Sequence, residues 1–154
     1  MRQYSSMSLV SPGSLFRDWL PPLVWMVVVM ILSGDRFSAA ETGHVLVPLL
    51  SWLLPWASPA TLEALHGVTR KLAHLVEYAV LAALWLRALR AGAGWPRARA
   101  AATAVALSVG WAVVDELHQA TVASRTGSPL DVLLDATGAV AAVVYRPRRA
   151  SRST

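Results

Sequence analysis

Long apolar segments separated by short polar connections restrict the fold of this chain more than any other feature. The first, Trp19–Gly34, has no charged residue in 16 positions. Three others are each about 20 residues long, at roughly Arg70–Leu89, Ala98–Ala120 and Ser128–Tyr145. A helix needs about 20 residues to cross a hydrocarbon core of about 30 Å. Leu15 and Phe16, with an Arg17 that can extend to the membrane surface, bring the first segment close to that length. The segments therefore predict an all-α, polytopic membrane protein with four transmembrane helices.

The overall composition agrees with a membrane protein. Only 15% of the 154 residues are charged and 55% are hydrophobic, whereas a soluble domain carries about 25% charged residues. The net charge of +5 does not require nucleic acid, and we expect no nucleic-acid partner, because arginine also accumulates in cytoplasmic loops. The chain has no cysteine, which excludes disulfides and cysteine-based zinc sites.

One further apolar run is too short to be a typical span. Val45–Ala57 has 13 residues, includes two prolines, and carries Trp52 and Trp56. This length and these tryptophans are typical of an interfacial or re-entrant segment between the first and second spans. We expect it to form a lid over a site. A serine–proline start and a short helix over Thr61–Val68 are predicted to follow it.

The distribution of arginine and lysine predicts the orientation. With four spans, ten of the 14 basic residues fall on the side of the two termini and the second-to-third connection. The positive-inside rule therefore places both termini in the cytoplasm. The predicted organisation is a cytoplasmic N-terminal segment over 1–14, a membrane domain over 15–145 and a basic cytoplasmic tail over 146–154.

Polar residues inside the predicted spans are concentrated at one end of the bundle, the extracytoplasmic end. Charge within a membrane span is costly and indicates a functional site. The residues concerned are Arg70, Lys71, His74 and Glu77 in the second span, Asp115, Glu116, His118 and Gln119 in the third, Arg125 in the turn, and Asp131 and Asp135 in the fourth. Their acids outnumber their arginines and lysines by two, so we expect protonated carboxyl groups, a cationic histidine or a bound cation.

Helical spacing predicts that these side chains meet. The pairs and triplets that share a stripe of one helix are Lys71, His74 and Tyr78, then Asp115 and Gln119, then Asp131 and Asp135. A bundle that turns these stripes inward shields them from lipid.

The same residues suggest a chemistry. His74 and Glu77 are interpreted as a base and its orienting partner, with Asp115 or Glu116 as a second acid or base. The candidate catalytic set is Lys71, His74, Glu77, Asp115, Glu116, Gln119, Arg125 and Asp131, and the candidate substrate contacts are Arg70, Tyr78 and Asp135. Lys71 and Arg125 would hold a phosphate or carboxylate group. No cofactor is identified. A divalent metal held by these histidines and carboxylates is an alternative.

Three other functions remain open. The cluster could bind a ligand without chemistry. It could serve only to fix helix packing, through ion pairs of Lys71 with Glu77 and of Arg125 with Asp131. A proton-coupled transporter subunit is the third, and it would need an oligomer because four spans are few.

These motifs resemble the VanZ-like family of small multi-pass bacterial membrane proteins. The resemblance covers about residues 19 to 145 and rests on Lys71-x-x-His74-x-x-Glu77-Tyr78, Asp115-Glu116-x-x-Gln119, Arg125-Thr126-Gly127, Asp131-Val132 and Gly138-Ala139. The family commonly has Asn where this chain has Asp135, and His118 matches no family position. The resemblance implies the bacterial inner membrane, a link to glycopeptide (teicoplanin) resistance, and membrane lipids or a lipid-linked envelope precursor as partners.

Other residues have structural interpretations. We expect Trp19, Trp85 and Trp95 to lie at the membrane interfaces. Gly110 and Gly138 are expected to permit close helix approach. His44 and His66 are predicted to be solvated.

Overall fold

The computed structural model is all-helical over the residues it describes, which are 12–34, 37–121 and 128–145, with side chains from Phe16 onward in the first range. The five helices are α1 (Pro12–Leu32), α2 (Ala39–Leu53), α3 (Pro59–Arg87), α4 (Arg97–Thr121) and α5 (Pro129–Val144). A π-helical turn, Ala88–Gly92, extends α3. The all-α prediction is therefore confirmed. The proposed tail over 146–154 and most of the proposed N-terminal segment over 1–14 lie outside the described residues.

The start of α3 follows its local sequence. The Ser58 side chain accepts a hydrogen bond from the Thr61 amide at 3.2 Å, and Pro59 occupies the first turn. This serine satisfies an amide that no helical carbonyl can reach, and proline has no amide to lose there. The predicted serine–proline start is confirmed.

A single continuous helix replaces two predicted elements. The separation of a short helix over Thr61–Val68 from a span starting at Arg70 is wrong, because α3 runs without interruption through both. The sequence between them contains no proline, and Gly67 weakens a helix by about 1 kcal/mol without ending it. The preceding α2 starts at Ala39, six residues before the predicted segment, and ends before Pro55.

Two side-chain hydrogen bonds show the relative directions of the helices. The Gln119 amide near the end of α4 donates to Ser33 Oγ just after α1, at 3.4 Å. At the opposite end, Arg97 at the start of α4 donates to the carbonyl of Val143 near the end of α5, at 2.9 Å. Hence α1 and α4 run one way, and α3 and α5 run the other way. The central helix, α3, contacts all four others.

The bundle has small residues inside and large apolar residues outside. Its buried core includes six alanines, namely Ala82, Ala88, Ala100, Ala104, Ala112 and Ala139. Leu23, Val27 and Ile31 of α1 and Leu72 and Val76 of α3 are among the exposed side chains. This distribution suits helices that pack closely in lipid, where apolar surface need not be hidden from the surroundings. Two helical stretches, Pro59–Gly92 and Arg97–Thr121, are long and apolar enough to cross a membrane.

One carbonyl released by proline and two tryptophan indoles help to attach α1. Pro21 has no amide, so the carbonyl of Arg17 lacks its helical donor, and the guanidinium of Arg87 donates to it instead. Farther along, the Trp25 indole donates to the carbonyl of Glu77 at 2.9 Å, and the Trp111 indole donates to the carbonyl of Met26 at 3.2 Å. Three side-chain donors thus connect α1 with α3 and α4.

Two of the structural interpretations need correction. Trp85 is buried, with its ring 6.3 Å from that of Trp19, so its assignment as an interfacial anchor is wrong. Trp85 is buried because α1, which carries Trp19, packs against this face of α3. The prediction for Gly138 is confirmed, since an added Cβ would overlap the Leu75 carbonyl. The prediction for Gly110 is wrong, because that position faces open space.

Candidate functional site

Polar side chains from four helical segments meet inside the bundle. This polar cluster consists of Ser33, His74, Tyr78, Asp115, Gln119 and Asp135. All but His74 are 4% exposed or less, and the His74 side chain is 16% exposed. It forms because α3 and α5 begin, and α1 and α4 end, at the same end of the bundle. The structure therefore brings five of the sequence-predicted residues together and adds Ser33.

Two contacts organise the polar cluster. His74 Nδ1 lies 3.6 Å from Asp135 Oδ1, which is an ion-pair distance but longer than a hydrogen bond. The Gln119 amide donates to Asp115 Oδ2 at 3.0 Å and also reaches Ser33. Gln119 therefore fixes one carboxylate, and His74 faces the other.

Several polar atoms of the polar cluster are buried without a hydrogen bond to the described part of the chain. They are His74 Nδ1, Tyr78 Oη, Asp115 Oδ1 and Asp135 Oδ1. The Tyr78 hydroxyl lies within electrostatic reach of both aspartates. An unsatisfied buried polar atom costs about 1–3 kcal/mol. Ionisable side chains buried within apolar helices are costly, which makes the polar cluster a candidate functional site.

A pocket of about 220 Å³ opens beside the polar cluster, where the end of α1, α2 and α3 meet. Its polar wall residues are Ser33, Thr42, Thr69, Arg70, His74 and Glu77. Leu32, Phe37 and Leu46 contribute apolar surface. Ser33 and His74 belong to both the pocket and the polar cluster, so these two side chains connect them.

A hydrogen-bonded group holds α2 against the pocket. Thr42 Oγ1 lies 3.1 Å from His66 Nε2, and Arg70 donates to Thr42 Oγ1 and to the carbonyl of Phe37, each at 3.3 Å. His66 is only 5% exposed, so its prediction as solvated is wrong, because α2 covers it. His44 is exposed, as predicted. No pattern in the sequence indicates this role of His66.

The base and its orienting partner are arranged differently from the prediction. Asp135, expected to contact substrate, lies behind His74 at its Nδ1 atom, while Glu77, expected to orient His74, lines the pocket. Tyr78 also lies behind the pocket wall. The imidazole thus faces a buried carboxylate on one side and the pocket on the other. A histidine in this setting can take or give a proton at the pocket.

The remaining predicted residues lie outside the polar cluster. The Glu116 carboxylate accepts from the amide of Ser128 and so links α4 to the start of α5. Asp131 is half-buried in the first turn of α5, and Lys71 is exposed. Arg125 lies outside the described residues. In the part of the chain that the structure describes, no three His, Asp or Glu side chains form a group that could hold a metal ion.

The described residues thus form an all-helical bundle with a buried histidine–carboxylate cluster, and two of its helices could cross a membrane. The VanZ/LLP1 family model matches residues 19–147. The chain belongs to that family, as its motifs indicated. Neither curated proteins nor solved structures gave a significant match.

Proposed function

We propose that this is a four-span protein of the bacterial inner membrane that binds or acts on the head group of an envelope lipid or lipid-linked precursor. Both termini are cytoplasmic, and the pocket lies in the extracytoplasmic half. The 21 residues of α1 extend about 31 Å and the 16 of α5 about 24 Å. Helices of these lengths, packed alongside α3 and α4, support four spans.

The composition of the pocket favours an amphiphilic ligand with an anionic head. Arg70 places a positive charge on the wall, and guanidinium groups bind phosphate or carboxylate well. The apolar side chains of Leu32, Phe37 and Leu46 line the same space. Ile31 and Val45, which precede Leu32 and Leu46 in the chain, are exposed apolar residues. Acyl chains can therefore remain in the bilayer while the head group occupies the pocket.

The observation that carries the proposal is the position of His74 between the pocket and Asp135. A carboxylate behind an imidazole stabilises its protonated form and fixes its orientation. His74 would therefore exchange a proton with a bound head group, and Glu77 would serve as a second acid or base on the same wall. In this scheme Asp135 is a positioning residue, because it acts through His74.

Proton-coupled transport is the second candidate. It is favoured by the almost fully buried carboxyl groups of Asp115 and Asp135. His74 and Tyr78 belong to the same polar cluster. Buried acids of this kind mark proton pathways in membrane proteins. A further alternative, binding of a glycolipid or glycopeptide without turnover, uses the same pocket and differs only in the absence of a product.

The proposal is tested by identifying the lipids that remain bound to the purified protein. Wild type, His74→Gln and Glu77→Gln would be extracted in native lipid and their bound lipids identified by mass spectrometry. Glu63→Gln is the matched control, because Glu63 is an exposed carboxylate of the same helix outside the pocket. All variants would be checked for folding by thermal unfolding.

We expect one lipid class to be retained by wild type and Glu63→Gln and lost or reduced in the two pocket variants. A product formed only with intact His74 would indicate an enzyme, and retention without product would indicate a binding protein. Equal lipid profiles in all four folded proteins would overturn the proposal. In a susceptible bacterium, expression of wild type is expected to raise teicoplanin resistance, and His74→Gln is expected to reduce that effect.

A further inference from the structure

A second cleft lies at the opposite end of the bundle from the polar cluster, between the end of α3 and the start of α4. It has a volume of about 450 Å³. Its wall consists of Ala83, Leu86, Arg87, Arg90, Ala91 and Arg97. Three arginines therefore contribute to the wall of the cleft, together with small and apolar side chains. We call this feature the arginine cleft.

Two of the three arginines are held in place by the fold. Arg87 lies 3.8 Å from the Asp18 carboxylate and also donates to the carbonyl of Arg17. Arg97 donates to the carbonyl of Val143. Each guanidinium has five N–H donors, so these contacts fix both side chains while leaving further donors. Their positions do not depend on a ligand.

Arg90 is the third arginine and differs from the other two. Its side chain is exposed, and within the described residues it makes neither an ion pair nor a hydrogen bond through its guanidinium. Asp18 is the one acidic residue that contacts a cleft arginine there. The arginine cleft thus keeps a net positive charge, and Arg90 can reorient toward an incoming anion.

We propose that the arginine cleft binds the phosphate group of an anionic amphiphile, a phospholipid with a net negative head group. Guanidinium groups pair with phosphate through two parallel hydrogen bonds. Basic pockets between membrane helices are suited to anionic lipid heads. Ala83 and Leu86 extend the wall along α3 away from the arginines, which gives the first acyl carbons an apolar surface. This site is separate from the pocket beside His74 and does not rest on the function proposed for it.

Membrane orientation alone does not account for this arrangement. Orientation requires basic residues on one side, and it does not require them to converge on a cleft. Arg99 illustrates the difference, because it lies at the same end of the protein yet stacks on the Trp95 ring at 3.9 Å and does not line the arginine cleft. It carries the same charge and is therefore a matched control.

The test measures lipid binding to the full-length protein. Native mass spectrometry in a neutral detergent would compare phosphatidylglycerol, which is anionic, with phosphatidylcholine, which is zwitterionic. The proteins are wild type, Arg90→Gln and Arg99→Gln, each checked for an unchanged unfolding midpoint. Inorganic phosphate in the millimolar range is added as a competitor, to distinguish a lipid head from a free phosphate ion.

We expect wild type and Arg99→Gln to retain phosphatidylglycerol in preference to phosphatidylcholine. Arg90→Gln is expected to bind it about tenfold more weakly, since one charge-assisted hydrogen bond contributes about that factor. Displacement by inorganic phosphate would assign the arginine cleft to a soluble phosphate ligand, and retention would assign it to a lipid. Equal losses in Arg90→Gln and Arg99→Gln, or no preference for the anionic lipid, would overturn the proposal.

Discussion

Gly138 of α5 lies directly against the backbone carbonyl of Leu75 in α3, with no space for a side chain between them. Leu75 follows His74 in the chain, and Gly138 lies about one turn after Asp135. The close approach of the two backbones therefore sets the distance between His74 and Asp135. A packing residue that carries no chemistry thus determines the geometry of the candidate site.

Replacing Gly138 with alanine is expected to separate α3 from α5 and destabilise the protein. Overpacking of this kind costs about 1–3 kcal/mol, which would lower the unfolding midpoint in detergent. Gly110→Ala is the control, because a Cβ there meets nothing within 4 Å and alanine favours a helix. If Gly138→Ala and Gly110→Ala had equal midpoints, the close contact would not contribute to stability.

The pairing of His74 with Asp135 is expected to appear as an energetic coupling. His74→Gln alone leaves a buried carboxylate without its facing cation, at a cost of roughly 3 kcal/mol. Asp135→Asn is milder, because an amide at this position carries no charge. The double variant should lose less than the sum of the single variants, with a coupling of about 1 kcal/mol or more. Strictly additive losses in free energy of unfolding would show that the two side chains do not interact.

Loss of the Thr42 hydroxyl is expected to loosen α2 and expose the pocket. A Ser33→Cys substitution provides the probe, because Ser33 is 1% exposed and lines the pocket, and the chain has no other cysteine. In the Thr42→Val background, this thiol should react several times faster with a maleimide. The control is Thr69→Val, since the Thr69 hydroxyl donates to the carbonyl of Leu65 within its own helix. Equal rates in both backgrounds would exclude α2 as a cover of the pocket.

The proposed orientation predicts opposite labelling of two exposed positions. Ser58 lies before α3, at the end of the bundle near the pocket, and Ala98 lies in the first turn of α4, at the arginine end. On intact cells, a membrane-impermeant maleimide should label Ser58→Cys and should reach Ala98→Cys only after lysis. The reverse pattern would invert the orientation, and labelling of both on intact cells would contradict the four-span arrangement.

The fold was more predictable from the sequence than the candidate site. Helix and apolar content follow from local composition, so the all-helical architecture and the start of α3 at Ser58 and Pro59 were predicted. The continuity of α3 was not, because a short helix over Thr61–Val68 and a span starting at Arg70 were predicted as separate elements. A helix ends only where its hydrogen bonding is interrupted, and that segment contains no such signal.

Helical spacing alone could not locate the partners of each side chain. Lys71, His74 and Tyr78 share a stripe, yet Lys71 is exposed and Tyr78 is buried. Whether a side chain on this stripe is buried depends on which neighbouring helix packs against that turn of α3. The spacing of residues within one helix contains no information about its neighbours. For the same reason, the contact between Thr42 and His66 had no signal in the sequence.

The sequence by itself determined that the protein is helical, that its apolar segments suit a membrane and that ionisable residues interrupt those segments. These properties depend on the order and type of neighbouring residues. Only the tertiary structure decided that Asp135 stands behind His74 and that Glu77 faces the pocket. The rotation and spacing of α3 and α5 bring these groups together, and that arrangement depends on long-range packing at Gly138 and Leu75.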